Sequence, residues 1–78
     1  MATLRLFASV REAAGTGRDT IEGATVGVVL DVAVERYGAA FAALLPTSKI
    51  WVNGEPADRD TSIRPADEVA VLPPVSGG

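Results

Sequence analysis

The residues best placed to do chemistry are the last six, Pro73-Pro74-Val75-Ser76-Gly77-Gly78. Two prolines fix φ and favour a stiff, extended exit, and the four residues past Pro74 reach roughly 13–14 Å. Glycine has no Cβ, so a strand of backbone ending in Gly77-Gly78 can approach groups that any side chain would hold away. The reactive group at that end is the α-carboxylate of Gly78, ionised near neutrality because its ordinary pKa is about 3.3–3.7. A carboxylate is a poor electrophile and must first be activated, for example as an acyl adenylate. The chain has no glycine-rich phosphate loop, so a partner must supply that step. A frayed end with glycines by chance is the alternative. At average glycine usage a terminal pair arises in roughly 0.5 % of chains, and the prolines and the strand pattern before it weigh further against chance.

Other chemistry is scarce. The 78 residues contain no cysteine and no histidine, which removes disulfides, thiolate metal sites, the commonest zinc ligand and the usual general base. No metal and no bound cofactor is expected. Seven basic residues stand against ten acidic ones, net charge −3. Arg5, Arg11, Arg18, Arg36, Lys49, Arg59 and Arg64 are spaced singly, without the basic stripe of a nucleic-acid binder. No signal pattern or membrane-length apolar run appears. A cytoplasmic protein with no nucleic-acid or membrane partner is expected. A chain this short buries only about 60–65 % of its unfolded surface, so 1–78 is read as one domain, with 73–78 as its extended tail.

The elements that must position the tail follow from periodicity. Thr3–Ala8 alternates, with Leu4, Leu6 and Ala8 on one face and Thr3, Arg5 and Phe7 on the other, as a half-buried strand does. Val10–Ala14 holds a helical turn before Gly15-Thr16-Gly17, and Asp19–Glu22 is a short strand. Thr25 is placed to cap a helix through Tyr37, with Val26, Val29, Leu30, Ala33 and Tyr37 on one stripe and Gly38 at its end. Valine is common there and favours strands, but the spacing is helical. Ala39–Leu45 reads as a helical turn that drops Phe41 and Leu44 onto the core, closed by Pro46. Lys49–Val52, Asn53-Gly54 and Glu55–Ala57 form a hairpin with a type I′ turn, and Pro56 marks the second arm as an edge. Glu68–Leu72 is the last strand, ended by Pro73-Pro74. These elements describe an α+β domain, a mixed sheet with one main helix packed across it.

Three segments, LFASVREAAG (Leu6–Gly15), VNGE (Val52–Glu55) and DEVAVLPPVSGG (Asp67–Gly78), resemble the ubiquitin-like sulfur carriers, above all the small subunits of molybdopterin synthase. The likeness runs nearly end to end; thiazole-forming carriers are close cousins. It implies a β-grasp fold and a cycle in which a ubiquitin-activating-type adenylyltransferase uses ATP to join AMP to Gly78. A sulfur donor enzyme then converts the end to a thiocarboxylate. Inside the large catalytic subunit of molybdopterin synthase, the sulfur builds the dithiolene of molybdopterin. The chain itself would be non-catalytic. Carriage of sulfur for thiazole, cysteine or transfer-RNA thiolation, modification of protein lysines, and a plain interaction domain remain the alternatives. Arg64-Pro65-Ala66-Asp67-Glu68 stands where the family commonly has a glycine turn, which leaves the geometry there open.

Strand parity also gives an outer face. With Leu4, Leu6, Ile50, Val52, Val69 and Val71 toward the helix, Phe7, Trp51 and Leu72 point away. In a β-grasp sheet the first and last strands are neighbours, so these three make an apolar docking patch at the root of the tail. The expected partner-binding set is Phe7, Trp51, Leu72, Pro73, Pro74, Val75 and Ser76, with Gly77 threading and Gly78 carrying the acyl group.

Overall fold

The structure, a computed structural model, describes residues 1–74. Alternation in the first strand is visible as burial: Ala2, Leu4 and Leu6 are enclosed while Thr3 and Arg5 are half-exposed. In chain order the elements are β1 (Ala2–Leu6), α1 (Ala8–Ala14), β2 (Arg18–Ile21), α2 (Val26–Tyr37), α3 (Ala39–Leu44), a 3-10 turn (Leu45–Thr47), β3 (Lys49–Val52), β4 (Glu55–Pro56) and β5 (Glu68–Leu72). The five strands form one sheet in the order β2-β1-β5-β3-β4. β1 and β5 run parallel, and every other pairing is antiparallel. This is the mixed β-grasp sheet expected, with α2 laying Val26, Val29, Leu30 and Ala33 into a core that β1 and β5 supply with Ala2, Leu4, Leu6, Val69 and Val71.

The α2 boundaries are set as its caps predict. The Thr25 hydroxyl accepts from the Val28 N–H at 3.3 Å. Two more unsatisfied N–H groups of the first turn, on Val26 and Gly27, donate to the Thr61 and Arg59 carbonyls, each at 3.0 Å. The segment between β4 and β5 is thereby strapped to the start of the helix. Gly38 ends α2 at φ +88°, ψ −166°, a region essentially closed to residues with a Cβ. Nothing lies within 4 Å of the position a Gly38 Cβ would take, so a substitution there is opposed by backbone conformation alone. Gly38→Ala is expected to destabilise by about 1–3 kcal/mol, read as a lower urea midpoint with unchanged slope.

Several expectations are corrected. The first strand stops at Leu6, not Ala8: Ala8 takes φ +49° and opens α1, whose first turn hangs from the Phe7 carbonyl through the Val10 and Arg11 N–H groups. The first helix is therefore longer than Val10–Ala14. The second strand is Arg18–Ile21 rather than Asp19–Glu22, and the fourth ends at Pro56 rather than Ala57. Pro46 does not close a helix; it enters the 3-10 turn that follows α3 at a position where its missing N–H costs nothing. The hairpin turn stands as expected, with Asn53 at φ +51° and Gly54 at +82°.

Two polar clamps tie the periphery. On β2, the Asp19 carboxylate accepts from the Tyr37 hydroxyl, from Arg36 Nη1 at 3.0 Å and from the Thr20 N–H at 2.8 Å. The Tyr37 bond, above all, holds the Asp19 carboxyl below its ordinary value. Burial, reinforced by Asp19, pushes the Tyr37 phenol up. In the second clamp, Asp67 accepts from Asn53 Nδ2 at 3.0 Å and from the Arg64 N–H at 2.8 Å. These bonds, the Asn53 one first, lower its carboxyl as well. Asp67 thus closes the 64–67 turn without glycine, which settles the geometry left open by the sequence. Both carboxylates are depressed, so their stabilisation is complete above the ordinary value of 3.8 and is lost as pH falls through the lower folded values. Urea midpoints are expected to be flat from about pH 7 to 5 and to decline below about pH 4, with a shallower decline in Asp67→Asn.

Candidate functional site

β5 lies between β1 and β3 and leads directly into Pro73 and Pro74. Its inner residues, Val69 and Val71, are fully buried; its outer ones, Glu68, Ala70 and Leu72, share a face with their cross-strand partners. The register makes one row across all five strands: Arg18, Arg5, Ala70, Trp51 and Pro56. Leu72 pairs with Lys49, and its ladder ends there because Pro73 has no N–H to continue it.

The sheet brings Trp51 and Leu72 to this outer face, both half-buried. Ile50 and Val52, of opposite parity, pack against the core. Phe7 is not a strand residue but the N-cap of α1, and its side chain makes no capping bond. It is 38 % exposed and stays at the tail root: its N–H donates to the Val71 carbonyl at 3.3 Å. The Arg5 guanidinium stands 5.7 Å from the centre of its ring, within reach of a cation–π attraction. Pro73 is half-buried and Pro74 exposed. Val75, Ser76, Gly77 and Gly78 lie outside the described residues.

Sequence reasoning missed two contributors. Arg5 bridges the patch to Glu68 through an exposed pair at 3.6 Å. Asn53, read only as a turn former, also accepts from the Glu68 N–H through its side chain at 2.9 Å, so the hairpin pins the start of the strand that carries the tail. The signal for the first was the shared outward parity of Arg5 and Phe7; no local signal marks the second. Among the described residues no cluster of three or more metal-ligating side chains occurs, and no helix is long and apolar enough to cross a membrane.

The profile of the ThiS family matches residues 4–78. Among solved structures, the chain is similar to small archaeal modifier protein 1 of Haloferax volcanii, with 33 % identity over 99 % of this chain and 98 % of that one and a TM-score of 0.83. It is also similar to small archaeal modifier protein 1 of Methanosarcina acetivorans, with 30 % identity, 99 % and 95 % coverage and a TM-score of 0.88. A putative molybdopterin converting factor, subunit 1, of Pyrococcus furiosus is 26 % identical, with 95 % and 97 % coverage and a TM-score of 0.79. Among curated proteins no match is found.

Proposed function

This chain belongs to the ThiS family of ubiquitin-like sulfur carriers, and from that premise we propose that it is the sulfur-donating small subunit of a molybdopterin synthase. The observation that carries the reading is the central strand β5, which leads into a proline pair and a sequence ending in Gly77-Gly78. In the cycle, a carboxylate oxygen of Gly78 attacks the α-phosphorus of ATP and pyrophosphate leaves. A donor's sulfur nucleophile, at the sulfide oxidation level, then displaces AMP from the acyl carbon to give a thiocarboxylate. The sulfur passes to a pterin precursor in the large catalytic subunit, and water returns the carboxylate. ATP is bound by the activating partner, and the chain holds no cofactor. The work is cytoplasmic, where such partners reside.

The identity to two small archaeal modifier proteins favours a second reading, in which the same activated carboxyl is passed to lysines of other proteins. The test is intact-mass analysis of the chain after incubation with a ubiquitin-activating-type adenylyltransferase, ATP and a sulfur donor. Exchange of one oxygen for sulfur at Gly78 is expected. An unchanged mass would refute the carrier reading, and covalent adducts on lysines would select the modifier. Addition of the large synthase subunit and pterin precursor should then discharge the sulfur.

Phe7, Trp51 and Leu72 are the proposed anchors for these partners. Phe7→Asp places a good capping residue at the vacant N-cap of α1, so stability is expected to hold or rise by up to about 1 kcal/mol. Partner affinity is expected to fall at least about tenfold, as loss of an aromatic anchor implies. Calorimetric titration against the large subunit, with thermal unfolding alongside, checks both.

A further inference from the structure

The cations of the sequence look evenly spread, yet the fold collects three of them. Arg5 and Arg18 are direct partners in the antiparallel β1–β2 ladder, so their side chains stand together on the outer face, where like charges opposite one another destabilise a sheet. Arg11 arrives from α1. Its Nε and Cδ lie 3.0 and 3.2 Å from the point a Cβ on Gly17 would occupy, so the bare glycine is what lets this side chain lie over the α1–β2 loop. Arg5, Arg11, Arg18, Thr16 and Gly17 line one open polar cleft. Against three guanidinium groups, the described residues supply one ion pair, Arg5–Glu68 at 3.6 Å, with side chains 41 % and 49 % exposed. Arg11 and Arg18 make none among the described residues, although Glu12 stands with Arg11 at a neighbouring rim. In a chain of net charge −3, this concentration is unfavourable for the free fold, and Glu68 is the one acidic partner paired with it among the described residues.

We propose that Arg5, Arg11 and Arg18 form a docking cleft for an acidic segment of the enzyme that activates the tail. The proposal rests on the sulfur-carrier reading and deepens it. Because β1 and β5 are parallel, the Arg5 end of β1 lies beside the residues that lead to Pro73, and the Phe7 ring beneath the Arg5 guanidinium joins the cleft to the apolar patch. A protein seated on Phe7 and Leu72 would therefore lie next to this rim. The cleft is an open surface rather than an enclosed pocket, which suits a row of carboxylates on a protein better than one small anion. Arginine forks take carboxylates two bonds at a time. Exposed charges of this kind act through encounter rate and salt dependence.

The test is ATP-dependent adenylation of the full chain by a ubiquitin-activating-type adenylyltransferase, followed as pyrophosphate release. The double variant Arg11→Glu/Arg18→Glu is expected to raise KM for the carrier about ten- to hundredfold with kcat unchanged. The wild-type KM should climb with salt while the variant's stays flat or falls. Arg11→Lys/Arg18→Lys should retain most of the affinity, and the single Arg11→Gln and Arg18→Gln variants, which reverse no charge, should give intermediate rises if the double variant fails to fold. A wild-type chain that is adenylated with a KM indifferent to all these changes overturns the cleft and leaves the carrier role standing. A wild-type chain that is not adenylated at all overturns both. In a parallel arm, ATP alone is titrated into the isolated chain. Amide resonance shifts confined to Arg5, Arg11 and Arg18 would reassign the cluster to phosphate and overturn the protein partner.

Discussion

Deleting Gly77 and Gly78 is expected to abolish thiocarboxylate formation while leaving the fold as stable as before. The buried core of the described residues runs from Ala2 to Val71, and glycine has no side chain to bury, so thermal unfolding is expected to shift by less than about 1 °C. The new terminus would still be a carboxylate, so the chemistry of the group is unchanged. Its position is not: two residues carry roughly 7 Å of reach, and the end becomes Ser76, with a Cβ beside the reacting carbon. A displacement of even about 1 Å can cost about a hundredfold in rate, so adenylation should fall beyond detection. Gly78→Ala separates the two causes, because it keeps the reach and restores the crowding. A truncated chain that is still loaded with sulfur would sink the tail as the site of chemistry.

The largest stability effect is expected at Phe41. It is fully buried, held by a helix of only six residues, and meets Tyr37 edge-on, with ring centroids 5.2 Å apart and planes at 70°. An aromatic removed from a packed core costs about 3–5 kcal/mol, and this pair adds an edge-to-face term of about 0.5–1.5 kcal/mol. A domain of this size has a total stability of roughly 4–12 kcal/mol. Phe41→Ala should therefore lower Tm by about 15–30 °C, measured by circular dichroism. Phe41→Leu, which fills most of the space, should lose less than half as much. A shift under about 5 °C for the alanine variant would mean that α3 does not seal the core in solution.

How far the sequence spoke for this structure depended on whether the deciding interaction was local. The α2 helix was legible despite its valines because the 3.6-residue spacing of Val26, Val29, Leu30 and Ala33 and the caps Thr25 and Gly38 are all local. The hairpin was legible because Asn-Gly supplies two positive-φ residues in a row. The end of β1 was misplaced because Ala8 continues the apolar alternation on paper, yet takes a left-handed conformation that alanine does not announce. The outward side of Trp51 and Leu72 followed from strand parity, whereas Phe7 lies past the end of β1 as the N-cap of α1 and is held beside β5 by its N–H bond to Val71. The gathering of Arg5, Arg11 and Arg18 was not legible: they are six and seven residues apart and meet only through the β1–β2 register and the lack of a side chain at Gly17.

The strand order β2-β1-β5-β3-β4 puts the last strand to be synthesised at the middle of the sheet. Until Glu68–Leu72 emerges from the ribosome, β1–β2 and β3–β4 are separate two-stranded pieces, each too small to hold together in water. The parallel β1–β5 closure spans most of the chain, a slow step for a small domain. Completion of the sheet is thereby deferred until Glu68–Leu72 is available to join its two halves.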